Sequence, residues 1–258
     1  MIKFEPVPPL DAIRALQARG GALDPSFSWL DRWQRDHAAM FTVAKSAGYD
    51  ILSDIFAALE KALSEGRTFR DFAAELTPLL QAKGWWGRRM MLDPETGEIG
   101  AAQLGSARRL RTIFDANMRV SYASGHWANF ERHKTTRPWL RYVAILDEVT
   151  RPTHRARHNL VLPVDDPYWD HWATPCGWNC RCTLQSLSDR DVARLQREGE
   201  RLMFTPPPLD FRPFVNKRTG EVTEVPDGID PGWDYNPGKA GWHAVMEAAQ
   251  AKIDAGGP

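Results

Sequence analysis

All three cysteines of the chain fall within eight residues, "PCGWNCRC" (175–182). Three uses of that sulfur compete: a disulfide, a metal site, or packing. An odd count, with Cys180 and Cys182 only two apart, argues against a disulfide framework. The metal reading has a definite form. His154 and His158 are four apart, so a helix would stack them on one face. If "CRCTLQSL" is an alternating strand, Cys180 and Cys182 share one face. Two imidazoles and two thiolates make a tetrahedral set, so His154, His158, Cys180 and Cys182 are the candidate ligands and zinc the candidate ion. Cys176 and His171 are spare donors, and Asp147 or Asp170 could hold an imidazole in orientation. The spacing matches no standard finger or ribbon. In the packing reading His154 bonds a carboxylate, Arg181 pairs with Asp147 or Asp170, and the cysteines are small buried residues. Both readings stay open, and Cys176 reads as incidental.

Catalysis has two forms here. His154 with Cys180 would make a nucleophilic pair. His154, His158 and Asp170 would make the centre of a metal-dependent hydrolase or nuclease. No HExxH, nucleophile elbow or phosphate-cradling glycine loop accompanies them, so no residue is assigned a catalytic role and the chain is not expected to be an enzyme.

These residues must be positioned by an α+β fold. The first part reads as helical, with a β-hairpin arm. A small mixed α/β region with few strands follows. "PPLDAIRALQARG" is a short helix between prolines and glycines. "SFSWLDRWQRDHAAMFTVAK" predicts another, with Leu30, Trp33, His37, Met40, Phe41 and Ala44 on one face. "DILSDIFAALEKALSEG" closes on Gly66, and Thr68 can cap "FRDFAAELTPLLQAKG". "DPETGE" is hairpin turn chemistry. "ARRLRTIFDANMRVSYASGHWANFER" is the longest helical pattern, with Arg108, Arg109, Arg111 and Arg119 crowded in its first half. Those four are either a solvated face or a contact surface for DNA or a partner. "WLRYVAIL" predicts a strand, "TRPTHRARHN" a short helix, 161–179 a loop, "SDRDVARLQREG" a capped helix, and "FVNKRTGEVTEV" a second hairpin. The divisions are 1–83 (helical), 84–135 (arm and long helix) and 136–258 (the Cys-Arg-Cys region and an extended tail). Tryptophans beside Pro or Gly are expected to pin loops.

Formal net charge is zero over 258 residues. That excludes a general drive toward nucleic acid or lipid. The charge is uneven, however: residues 104–160 hold 11 Lys and Arg against 4 Asp and Glu, and 161–258 hold 10 against 15. No apolar run is long enough to span a membrane. The N-terminus lacks the apolar core of a signal peptide, so the chain is expected to act first in a cytoplasm.

Several blocks, in order, resemble the phage Mu protein F-like family of minor head proteins. They are "WWG", "DPETGE", "AAQLGSARRLRTIFDANMRVSYASGHW", "LDEVTRPTHRARHNLVLPVDDPYWD", "GWNCRC" and "PGWDYNPGKA", covering about residues 84–241. Asp147, Thr150, Arg151, His154, Asp170, Gly177, Trp178, Cys180, Arg181 and Cys182 lie on the shared pattern. The resemblance implies a low-copy component of a tailed-phage or prophage-like head, inside the head near the portal and in the host cytoplasm during assembly. Its implied partners are portal protein, major capsid protein and packaged double-stranded DNA, with no membrane. The implied roles are procapsid assembly, DNA packaging or DNA delivery. Cysteines and histidines in this block of many relatives are candidate metal ligands. This chain departs from them, with Arg151 and His154 where some members carry cysteines and Gly177 where they carry a histidine. The resemblance therefore carries no ligand set across.

Overall fold

The structure is a computed structural model that describes residues 8–46 and 48–254. The N-terminal stretch on which the absence of a signal peptide was read lies partly outside them. The fold is α+β, as the sequence pattern requires.

Helix α1 (Leu10–Gly20) begins after Pro8 and Pro9 and buries Ala12, Ala15 and Leu16. The expected helix over 26–45 does not form. The segment carries a 3-10 turn at Trp29–Asp31 and a single turn, α2 (Asp36–Ala39), between extended pieces. Local competition explains this. The Asp31 carboxylate only starts the short 3-10 turn, capping Phe27 and Ser28, and the Asp36 carboxylate then accepts from the Trp33 N–H at 3.3 Å, an amide that a continuous helix would use. Gln34 (φ 47°) and Lys45 (φ 62°) take left-handed conformations. Helix α3 (Tyr49–Glu65) ends on Gly66 at φ 67°. Helix α4 (Phe69–Ala82) opens on a capping box between Thr68 and Asp71.

Helix α5 (Ala107–His133) is the spine, 27 residues and so about 40 Å long. Its Leu110 and Ile113 belong to the core of α1, α3 and α4, built on Leu16, Leu52, Ile55, Leu59, Phe72, Leu76 and Leu80. Its Val120, Trp127 and Phe130 belong to a second core, with Leu140, Tyr142, Leu162, Trp169 and Trp172. Helix α9 (Pro237–Asp254) lies along α5. Its glycines permit the close approach: a Cβ on Gly238 would stand 2.7 Å from the Ala123 carbonyl oxygen, and one on Gly241 would strike the Ser124 hydroxyl.

Among the described residues, three small antiparallel sheets complete the fold. Strand β3 (Trp139–Val143) is central between β4 (Val161–Pro163) and β5 (Thr183–Leu187), with Leu140 opposite Leu162 on one side and Ser186 on the other. β4 falls in the stretch read as loop. Between the strands lie α6 (Pro152–Arg155) and α7 (Trp169–Trp172), and α8 (Asp189–Arg197) follows β5. The hairpins β1 (Arg88–Leu92)–β2 (Ile99–Gln103) and β6 (Phe211–Val215)–β7 (Val222–Pro226) share one turn design. Gly97 donates to the Asp93 carbonyl and Gly220 to the Asn216 carbonyl, each at 2.8 Å. Arg218, in the second turn, grips the Asp93 carboxylate of the first at 2.6 and 2.9 Å and also pairs with Asp31. Trp29 and Trp33 pack against Phe214 of β6, and Trp178 against Trp233. No helix among the described residues is long and apolar enough to cross a membrane.

Candidate metal centre

Three elements meet at the cysteines. Helix α6 starts with Pro152 in its first turn, where a missing N–H costs nothing, and it presents His154 inward at 2% exposure. Strand β3 alternates so that Leu140 and Tyr142 face the core, each at 0% exposure. The turn after Pro175 supplies Cys176, Cys180 and Cys182, all buried as free thiols. Cys180 and Cys182 precede β5 rather than lie on it, so strand alternation does not align them. A tight turn does, in which Cys180 N–H reaches the Gly177 carbonyl at 3.2 Å and Asn179 adopts φ 58°.

The imidazole of His154 is fixed from both sides. Nε2 lies 3.0 Å from the Gly228 carbonyl oxygen, so it is the N–H donor and Nδ1 carries the lone pair. Nδ1 faces Cys182 Sγ at 3.5 Å, Cys180 Sγ at 3.8 Å and the Tyr142 hydroxyl at 3.2 Å. His154, Cys180 and Cys182 thereby bring three ligand atoms within 4.8 Å of one another. Trp172 covers the ring edge-on at 5.5 Å, and the Arg157 guanidinium lies 3.4 Å over Trp172. Cys176, taken from the sequence as incidental, packs in the same core but outside that three-ligand group. It is wholly buried, and its thiol donates to the Ala173 carbonyl at 3.3 Å.

The ionisation pattern follows from those contacts. Hydrogen bonds from Cys176 and Cys182 lower the pKa of Cys180. Burial raises Cys176, and the Cys180 contact followed by burial raises Cys182. Burial also pushes the Tyr142 phenol up.

Other expected participants lie elsewhere. His158 follows the end of α6, where Asn159 turns at φ 68°, so the two histidines do not stack; His158 Nδ1 accepts from Ala144 N–H at 3.2 Å. Asp170 pairs with Lys239 at 3.0 Å, and His171 packs edge-on against Phe211. Asp147 pairs with Arg181 at 2.7 Å and accepts from Thr150 at 2.9 Å. These contacts, Arg181 first, hold the Asp147 carboxyl down to about 2. Neither aspartate orients His154; the Gly228 carbonyl does, and a main-chain acceptor leaves no trace in a sequence. Tyr142 was also missed, although its inward place on an alternating strand was readable.

The remaining pattern residues frame the turn. Arg151 binds Asp230 at 2.8 Å and the Trp178 carbonyl at 3.1 Å, while Asp230 also accepts from Trp178 N–H at 2.7 Å. Gly177 lies against this bridge, since a Cβ there would strike Asp230 and stand 2.7 Å from Arg151 Nη1. Of the four arginines crowded in the first half of α5, two are committed inward. Arg109 donates to the carbonyls of Gln103, Leu104 and Ala44, and Arg119 to that of Cys180. Arg111 lies 3.8 Å over Phe69, and Arg108 is exposed.

The donor set fits a soft divalent ion. Ligand bonds of about 2.3 Å to sulfur and 2.0–2.1 Å to nitrogen, at the tetrahedral angle, separate S and N by about 3.6 Å. The observed 3.5 and 3.8 Å match that edge. A cleft of about 170 Å³, lined by Tyr122, His126 and Trp127, reaches Cys180 and Cys182. It could admit an ion but is smaller than the roughly 300–1,000 Å³ of ordinary ligand pockets.

Fold and site together define an α+β protein built on one long helix, with a buried thiol–imidazole cluster beside it. The family described as Phage Mu protein F like protein matches residues 53–185, from within α3 to within β5. The chain is 36% identical over 247 residues to the putative capsid assembly protein F of Escherichia phage Mu, covering 91% of this chain and 55% of that protein. It is 32% identical over 228 residues to the Mu-like prophage FluMu F protein of Haemophilus influenzae, covering 83% and 53%. The chain belongs to the phage Mu protein F-like family. It spans about half the length of these relatives. No solved structure matches it.

Proposed function

We propose that the chain is a minor head component of a tailed phage or prophage-like particle, acting in capsid assembly. The observation that carries this reading is its 36% identity, across 91% of its length, to a protein named for capsid assembly. The finer reading places it inside the head near the portal, with portal and major capsid proteins as partners. There it would serve procapsid assembly, DNA packaging or DNA delivery. Its hairpins support a role in protein contact. Met90, Leu92 and Ile99 on the first, and Phe211, Val215 and Val222 on the second, are exposed apolar residues.

Deletion of the gene in a particle-producing lysogen tests the reading. Major capsid and portal proteins should accumulate normally while DNA-filled heads fall in number. Unchanged numbers of filled heads would contradict it. DNA contact is a separable part, resting on the exposed basic side chains of α5. Binding to double-stranded DNA, if made through phosphates, should weaken steeply as salt rises. Absence of binding even at low salt would remove DNA from the partners. The alternative, a metal-dependent hydrolase or nuclease centred on His154, draws less support. The donors are buried, Trp172 covers the imidazole, and the adjoining cleft is too small for a nucleic acid.

A further inference from the structure

We propose that this chain binds one thiophilic divalent ion, zinc in the cell, through His154 Nδ1, Cys180 Sγ, Cys182 Sγ and a fourth ligand, Cys176 Sγ. The inference is independent of the role in the head and rests on four observations.

Without an ion, three donors crowd one acceptor at the centre. Three X–H groups, from Cys180, Cys182 and Tyr142, converge on the single lone pair of His154 Nδ1, which can serve one of them well. An ion at their focus replaces two weak S–H contacts with bonds and returns the phenol to the role of an outer partner.

Secondly, the imidazole is already aimed. The Gly228 carbonyl fixes the tautomer, leaving Nδ1 free toward the sulfurs, as an outer acceptor does for a ligating histidine.

The third observation is Cys176. Its thiol is wholly buried in the core that holds Cys180 and Cys182, and its own bond runs to the Ala173 carbonyl. Ligation would require the thiol to give up that bond for the ion. Structural zinc is held by four protein ligands, and Cys3His is one of the recurring sets. Among the described residues only His154, Cys180 and Cys182 lie mutually within 4.8 Å, and Cys176 is the one further thiol buried in the same core.

Charge is the fourth. Three thiolates and a divalent ion leave one negative charge, with three protons released to solvent on binding. The Arg119 guanidinium, bonded to the Cys180 carbonyl, and that of Arg151, 3.5 Å from His154 Nε2, stand beside it. The ion would join α6, the cysteine turn and, through Gly228, the segment after β7.

The test uses the full chain, reduced, stripped by chelator and reloaded with Zn²⁺ or Co²⁺. One equivalent of zinc should remain after desalting. X-ray absorption of the zinc form should show three sulfurs near 2.3 Å and one nitrogen near 2.0–2.1 Å. Cys176→Ser should lower the thiolate-to-cobalt charge-transfer band by about a third, one thiolate of three. It should also weaken binding at least about 100-fold, since even outer-shell partners are worth about 10–100-fold. One equivalent of zinc with two sulfurs, or an unchanged cobalt band in Cys176→Ser, would remove Cys176 from the ligand set. A folded protein that retains no zinc would overturn the centre altogether. The absorption measurement needs no variant, so a misfolding mutant does not decide the outcome.

Discussion

Asp147 shows how single side chains shape the region around the cysteines. Arg181, lying between the two cluster cysteines, turns away from them and pairs with Asp147. Asp147 in turn receives Thr150 and holds the entry to α6. Its carboxyl is lowered from 3.8 to about 2. A carboxylate depressed in the folded state stabilises the protein above its unfolded value and loses that contribution as pH falls through the folded value. Urea midpoints measured from pH 5 to pH 2 should therefore fall less steeply in Arg181→Ala than in the parent chain. Equal slopes would show that the pair does not couple to folding. Much of this neighbourhood was legible in the residues: His154, Cys180 and Cys182 were singled out and do converge. What was not legible follows from physics. His158 failed because α6 ends before reaching it. Gly228 was invisible because it acts through its main chain. Cys176 was read as incidental, and nothing in its spacing foretold its burial in the core that holds Cys180 and Cys182.

At the scale of elements, α5 is the part on which both cores depend, and its apolar spacing made it the most readable element. Leu110 is wholly buried among α1, α3 and α4. Leu110→Ala should destabilise the protein by about 2–5 kcal/mol in urea unfolding, as deletions at well-packed sites do. A loss below about 1 kcal/mol would mean that the site collapses around the smaller side chain. Residues 26–45 were misread because helical spacing of apolar residues says nothing of a carboxylate that captures an interior amide, as Asp36 does that of Trp33, or of a left-handed turn at Gln34. The two hairpins were each expected from their Thr-Gly turns, but their union was not. Arg218 joins the turns through Asp93 and fastens both to Asp31. Isolated two-stranded hairpins are marginal, so this ion cluster should restrain both. In Arg218→Ala, amide exchange should quicken over 88–103 and 211–226 together. Acceleration of only the second hairpin would show that the first is held by its packing on the core alone.

For the molecule as a whole, the basic middle and acidic end meet in part within the fold. Arg151 meets Asp230, Lys134 meets Asp165, Arg137 meets Asp191 and Arg141 meets Glu200. The proposed role requires incorporation into the head. Quantitative mass spectrometry of purified procapsids and mature heads, from a phage or lysogen encoding the chain, should find the chain in both, at far fewer copies than the major capsid protein. Its absence from both, while the chain is expressed during particle production, would refute a role in the head.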